Sequence, residues 1–306
     1  MIGRVHFGIN NIYSIVIDER RLECTIKGKV LPDTEGEYSP LAPGDYVEVD
    51  VKSGNIGSGL IIKRLPRRNE FSRWNRKRNS LQTIAANIDV VMALCSPSSP
   101  PFRPRFVDRV LVACKHAGIT GIVVLNKLDQ GIESPDRRRL RAYRRFGHKV
   151  YFCSATAGRG LSRLSRAVRG KDCVLVGHSG VGKSTLVNAL IPGANQSIGE
   201  ISRKYNRGRH TTQFGVMVNT PSGGFLVDTP GIREIELPPM DYISLQDAMP
   251  DIWKHRSSCA LQKCTHRHEP SCAVQDALEK GRVLEDRYES YLRMLSSLEE
   301  RNAVHG

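Results

Sequence analysis

Residues 177–185 read GHSGVGKST, and their types and spacing fit G-x-x-x-x-G-K-[ST]. Such a stretch can hold phosphate with its backbone. Gly177, Gly180 and Gly182 carry no Cβ, so the N–H groups of His178, Ser179, Val181 and their neighbours can curl around an anion. The strand-like CVLV before the loop and the helix-like STLVNALI after it add a helix N-terminus, whose dipole favours negative charge. In that frame Lys183 reaches the β- and γ-phosphates of a nucleotide, Ser184 ligates Mg²⁺, and Thr185 belongs to the same phosphate site.

Downstream, GGFLVDTPG places Asp228 at a strand end, where it is expected to hold Mg²⁺ through a water rather than by direct contact. Gly231 can offer its N–H to the γ-phosphate. Between loop and strand lies RKYNRGRHTTQF, polar and glycine-bearing. There Thr212, or its neighbour Thr211, is expected to complete the Mg²⁺ shell while the γ-phosphate is present.

The stretch 126–129 reads NKLD and ends the apolar GIVVL. A carboxylate at Asp129 can accept from N1–H and the 2-amino group of guanine, a pair that adenine cannot offer. Asn126 would bind the other edge of the base, and the Lys127 stem would lie along the ring. The nucleotide is therefore GTP or GDP rather than an adenine nucleotide, because adenine would leave that carboxylate unpartnered. Ser154 and Ala155, in VYFCSATAG, again end a strand, where a backbone N–H can meet the guanine carbonyl. In ordinary GTPases these base-reading motifs follow the phosphate loop; here they precede it, and the chain resembles the circularly permuted GTPases. Joints at exposed loops allow such a cut and rejoining without changing sheet or site.

A second chemistry sits near the C-terminus. CALQKCTHRHEPSC gives Cys259-x4-Cys264-x-His266-x5-Cys272, three thiolates and an imidazole that suit a closed tetrahedral Zn²⁺ site with a structural role. On spacing alone His268 competes with His266, and His255 is a remote candidate. The other five cysteines, Cys24, Cys95, Cys114, Cys153 and Cys173, are scattered through apolar text and read as core thiols.

The elements that must position these residues are legible as changes of period. Residues 1–66 alternate in short runs such as YSIVID and DYVEVDVKSG, broken by turn residues, which predicts a small β-barrel, an OB-fold being consistent with its size. The stretch 63–80, KRLPRRNEFSRWNRKRNS, sets eight basic residues against Glu70. It reads as a basic linker over 67–82, with Phe71 and Trp74 available to stack on bases. From 83 to 237 apolar strands alternate with helical stretches, predicting a parallel sheet covered on both faces, with ligands beyond the strands' carboxyl ends. Residues 238–306 read as a helical zinc-binding domain, in which Leu284, Tyr288, Tyr291, Leu292, Leu295 and Leu298 line one face of the last helix. The fold class is thus a multidomain chain of barrel, permuted α/β P-loop domain and helical metal domain.

The 306 residues carry a formal charge of +15, which favours a polyanionic partner. No run of eighteen apolar residues occurs, and the opening MIGRVHFGINN lacks the pattern of a secretion signal, so a cytoplasmic protein without membrane contact is expected.

The barrel, ANID ahead of NKLD, GHSGVGKST, GRHTT, DTPG and the cysteine segment ending EPSCAV together resemble the RsgA family of ribosome small-subunit-dependent GTPases over the full length. That resemblance implies His266 rather than His268 as fourth zinc ligand, and an OB-fold for the barrel. It also implies a late assembly factor that binds 16S rRNA on the immature 30S subunit, hydrolyses GTP there and leaves. A monomer is expected. Ile232 occupies the position after the DTPG glycine where many GTPases carry a water-orienting glutamine, so intrinsic turnover should be slow. His210, in GRHTT, is the candidate to orient water once RNA orders its segment. The alternative is an RNA-binding module whose nucleotide has only a structural or regulatory role.

Overall fold

The computed structural model describes residues 1–9, 11–28, 31, 34, 37, 39–51, 57–194, 215–229, 232 and 234–305, the side chains of 302–305 excepted. The first five strands, β1 (Ile2–Ile9), β2 (Ile12–Ile17), β3 (Arg20–Ile26), β4 (Tyr46–Asp50) and β5 (Ser58–Arg64), close into a barrel in the order β1-β2-β3-β5-β4. β3 and β5 run parallel and the other neighbours antiparallel, which is the strand order of an OB-fold. Alternation explains the closure: Val5, Ile15, Cys24, Val47, Val49 and Ile61 point inward and are buried.

The stretch that reads as a basic linker is folded. Strands β6 (Glu70–Asn75) and β7 (Ser80–Ala86) pair as an antiparallel hairpin. Phe71 is fully buried and cannot stack on a base. Trp74 is half-buried under the Arg301 guanidinium, 5.2 Å from its ring centre. The rings are used to dock the hairpin, and Arg76, Lys77 and Arg78 are exposed in its turn. The hairpin grips the segment after Asp228: Trp74 N donates to Glu236 O (3.0 Å), and the Glu236 carboxylate pairs with Arg76 (3.1 Å) and Arg109 (3.3 Å). Arg301 Nη1 donates to Leu237 O at 2.7 Å.

The central sheet has the order β10-β9-β8-β11-β13-β12. Its strands are β8 (Val90–Cys95), β9 (Thr120–Leu125), β10 (Lys149–Phe152), β11 (Cys173–Gly177), β12 (Val216–Asn219) and β13 (Phe225–Asp228), parallel except for β12. β8 is buried at all six positions because helices cover both faces, so VVMALC reads as an unbroken apolar run. Helices α1 (Pro104–His116) and α2 (Ser134–Arg145) pack on one face, α3 (Leu161–Val168) and α4 (Lys183–Leu190) on the other. α1 begins with proline at its first position, where the missing N–H is no loss, and is followed by Gly118 at φ +66°.

The apolar face of α1 continues without a break into the C-terminal helices Tyr242–Asp247, Pro250–Arg256, Ala273–Glu279 and Glu285–His305. Tyr291, Leu295 and Leu298 are buried there, as the spacing of the last helix predicts. A buried ionic network fastens the same joint. Asp108 of α1 accepts from Tyr143 Oη (2.7 Å), from Arg139 Nη2 (2.5 Å) and from Arg287 Nη1 (2.5 Å), and Arg287 Nε reaches Asp251 at 2.8 Å. Burial alone would push the Asp108 carboxyl up, but Arg287 and Arg139 hold it below the ordinary range.

The barrel meets the central sheet at β1. Arg4 pairs with Asp172 at 2.6 Å and lies 4.7 Å over the Phe225 ring, while Phe7 packs on Val216 of β12. His6 is buried at this seam, edge-on to Phe225 at 5.3 Å, and neither ring nitrogen has a hydrogen-bond partner among the described residues. Burial, then Arg21 and Arg4, lower its pKa from 6.5 to about 4. Unfolding frees His6 to take a proton at its ordinary pKa. Its contribution is therefore complete above about pH 6.5 and is lost as the pH falls through about 4. His6→Phe should remove about 3 kcal/mol of the stability lost between those limits, read from urea melts at several pH values. An unchanged pH profile would show that the imidazole is neutral in no special sense.

Candidate functional site

Among the described residues, the motifs picked out in the central domain fall at or beyond the carboxyl ends of the parallel strands. β8 and β11 are neighbours, with Gly177 in register with Leu94, and the chain leaves them in different directions, which opens the crevice where such sheets take ligands. Asn126 follows β9, Ser154 follows β10, the 177–185 loop follows β11, and Asp228 ends β13.

Asn126 ties three of these loops together. It is 2% exposed; its Nδ2 donates to Val181 O in the phosphate loop at 3.1 Å, and its Oδ1 accepts from Ala155 N at 2.9 Å. Gly182 sits at φ +91°, and a Cβ there would fall 2.5 Å from Asn126 Nδ2, so glycine is required both for the conformation and for the contact. Lys127, itself left-handed at φ 59°, lays its side chain across the gap, and Nζ donates to Ser99 O (2.5 Å) and Gly180 O (2.7 Å). Asp129 is exposed and accepts from Ser154 Oγ, a bond that holds its carboxyl below the usual range.

On the phosphate side, Lys183 Nζ donates to Gly177 O (2.8 Å) and His178 O (2.9 Å), which uses two of its three hydrogens. Burial lowers its pKa, opposed by Asp228. His178 leans on Phe106 of α1, with ring centres 4.5 Å apart, and burial lowers its pKa too. Ser179 on the loop, and Ser184 and Thr185 in the first turn of α4, are exposed. Asp228 Oδ1 is sealed from solvent with no hydrogen-bond partner among the described residues, and burial lifts the carboxyl to about 6 against the pull of Lys183. A sealed carboxylate oxygen beside a phosphate loop is what a divalent cation would satisfy, so these residues fit Mg²⁺. His210, Thr211, Thr212 and Gly231 lie outside the described residues.

The loop at 96–101 was not singled out from the sequence, yet its Ser99 carbonyl anchors Lys127 and Ser96 Oγ closes it on Pro100 O at 2.7 Å. Its signal was available: SPSSPP, turn-rich, directly after the central strand at the switch point.

Near the C-terminus, Cys259, Cys264, His266 and Cys272 bring four ligand atoms within 4.8 Å of one another. His266 Nδ1 faces the sulfurs, 3.6 Å from Cys259 and 3.3 Å from Cys272, and neither His268 nor His255 joins the group. Burial keeps Cys264 protonated up to about 12 and His266 neutral down to about 4. Three thiols and a neutral imidazole at this spacing can hold a metal ion that displaces the thiol protons. The supporting shell is in place: Glu269 accepts from Thr265 N, Thr265 Oγ1 and Arg267 N, Tyr291 Oη donates to Thr265 O (2.8 Å), and Gln246 Nε2 donates to Cys264 O (2.9 Å). The five other cysteines are all buried, as their apolar surroundings predict.

A phosphate loop, a base-reading motif that precedes it in the chain, and a parallel sheet that brings the two together define a circularly permuted P-loop GTPase. Comparison with known proteins narrows the class. The RsgA GTPase family model matches residues 64–238. The Small ribosomal subunit biogenesis GTPase RsgA of Borreliella burgdorferi is 38% identical over 296 residues, covering 96% of this chain and 95% of that one. The protein of the same name from Flavobacterium psychrophilum is 34% identical, covering 98% and 94%. Among solved structures, YjeQ from Thermotoga maritima superposes with a TM-score of 0.71 at 26% identity, covering 97% and 98% of the two chains. YloQ, described as a circularly permuted GTPase, shares the fold with a TM-score of 0.68 at 24% identity, covering 98% and 95%. The chain belongs to the RsgA GTPase family and is a GTP hydrolase.

Proposed function

We propose that this protein is a cytoplasmic, monomeric GTPase that acts late in maturation of the small ribosomal subunit, binding 16S rRNA and hydrolysing GTP when the subunit stimulates it. The names carried by its relatives support the assembly role, and the net charge of +15 suits an rRNA partner. Family membership favours this over a binding module in which nucleotide is only structural. The observation that carries the nucleotide reading is Asn126, bonded at once to the phosphate loop and to the 154–155 turn.

In this reading Asp129 and Asn126 take the two edges of guanine, and the Ala155 region meets its carbonyl. The third hydrogen of Lys183, with the N–H groups of 177–185 and of Gly231, binds the phosphates. Ser184, Asp228 and Thr212 or Thr211 would hold Mg²⁺, which supplies charge neutralisation at the β- and γ-phosphates. His210 remains the candidate for orienting water, since Ile232 is 8% exposed, apolar and unable to do so. The metal of the Cys₃His cluster is taken as Zn²⁺, matched to the soft, closed ligand set.

GTP turnover measured with and without purified small subunits tests the function. The expected result is slow turnover alone and at least a tenfold rise with subunits, in line with the gains seen when a partner completes a GTPase site. No rise at saturating subunit would remove the proposal and leave the binding-module reading.

A further inference from the structure

Charge is unevenly distributed in this chain. Residues 131–170 hold eleven Lys and Arg against Glu133 and Asp136, a net +9 of the whole protein's +15. Apart from the Ser154–Ala155 turn, this block lies outside the nucleotide site and the hairpin. It consists of α2, the edge strand β10 and α3, so the excess charge is gathered at one end of the central sheet.

The helical period sorts the arginines of α2. Leu140 and Tyr143 pack inward with Arg139, which is committed to Asp108 and Asp286. Arg137, Arg138, Arg141 and Arg145 are exposed, and at about 100° per residue they share one outward arc with Arg144. Arg137, Arg141 and Arg145 are successive i, i+4 neighbours, about 6 Å apart along the axis. On α3 Leu164 faces the core, and Arg163 and Arg166 are exposed. Among the described residues, the buried Arg139 is the arginine of α2 and α3 that forms a salt bridge. Like charges at this density repel one another, and among the described residues no carboxylate is salt-bridged to the exposed arginines, although Glu285 and Asp286 border Arg138.

The chemistry of the missing partner follows from what accompanies the charge. A surface that binds single strands interleaves basic groups with exposed aromatic rings; here the 131–170 block presents no exposed large apolar side chain, and Phe152 is half-buried with Arg144 stacked 4.7 Å over it. A membrane-surface helix needs an apolar face beside its basic one, and the apolar faces of α2 and α3 are spent on the sheet. A row of exposed guanidinium groups without exposed aromatic rings beside it suits the phosphodiester backbone of a double-stranded nucleic acid, read by shape and charge.

We propose that the outward face of α2, beside the sheet edge that β10 forms, is a docking surface for the backbone of duplex RNA. This rests on the ribosomal reading above, which supplies RNA as the natural duplex. The surface adjoins the base side of the nucleotide: α2 follows the NKLD turn, α3 follows the Ser154–Ala155 turn, and the positive charge of Arg159 already acts on Asp129. A duplex held here lies beside the guanine-binding loops rather than over Asp228.

The test compares the intact protein with a triple variant, Arg137→Gln, Arg141→Gln and Arg145→Gln, and with a control, Lys254→Gln, Lys263→Gln and Arg282→Gln, that removes the same charge from the exposed C-terminal surface. Binding of a blunt RNA duplex, a single strand of equal length and vesicles containing phosphatidylserine is measured across a potassium chloride series. The α2 variant should bind the duplex at least about tenfold more weakly, with a salt slope shallower by about 2 to 3, while the control changes little. GTP turnover without RNA should be unchanged. Equal losses in both variants would reduce the effect to net charge and overturn the proposal, as would a loss confined to vesicles or to the single strand. If small subunits stimulate the intact protein while the α2 variant binds duplex and subunit normally, the surface alone is refuted. If subunits never stimulate, the assembly role itself falls.

Discussion

Stripping the metal from the Cys259, Cys264, His266 and Cys272 cluster is expected to unfold the loop that carries it while the helices around it stay packed. The ligand atoms converge within 4.8 Å, while the backbone between them has little regular structure of its own. His266 and Ser271 sit at positive φ, 64° and 54°, a conformation that side chains other than glycine adopt when something fixes it. Structural zinc contributes on the order of 10 kcal/mol or more to small domains at neutral pH. The last helix should stay docked, because Tyr291, Leu295 and Leu298 belong to the apolar core shared with α1. One equivalent of zinc should be released by a chelator, followed by rapid proteolysis within 257–275 and not within α1. A chelated protein that melts and digests like the parent would dismiss the structural metal.

Asp129→Asn should exchange the preferred nucleotide. The carboxylate offers two acceptors, matched to N1–H and the 2-amino group of guanine; an amide presents a donor in place of one of them. Xanthine carries a carbonyl where guanine has its amino group, so the altered pattern fits again. Sites built on such hydrogen bonds reject the mismatched ligand by about 10⁴-fold, and a loss of that order in GTP affinity is expected, with a comparable gain for XTP. Ser154 Oγ already donates to Asp129, so the variant also loses that charge-assisted contact, and Ser154→Ala should weaken GTP binding by a smaller factor. Equal weakening for GTP and XTP would mean that Asp129 does not read the base.

The parts of the molecule that were legible in the sequence are those whose cause is local. The phosphate loop announces itself because its glycines, lysine and flanking strand and helix are contiguous, and the barrel because alternation needs only neighbouring residues. The metal cluster is legible for the same reason, with all four ligands within fourteen residues. The hairpin at 70–86 was hidden under its own charge: Arg73, Arg76, Lys77 and Arg78 look like solvated linker, and only Phe71 and Trp74 hint that one side is covered. The network of Asp108, Arg139, Arg287 and Asp251 has no local sign at all. Its members are 31 to 179 positions apart and meet only because α1, α2 and the C-terminal helices pack together. The anchoring of Lys127 by Ser99 is of the same kind.

Glu236 is pinned from three directions, by a hairpin amide and by two guanidinium groups, and Leu237 beside it is held by the last helix. Seven residues separate that pin from Asp228, a leash of about 25 Å at full stretch. Any displacement at the nucleotide end that outruns it must tug on the hairpin and the final helix together, so two remote surfaces share a single mechanical origin.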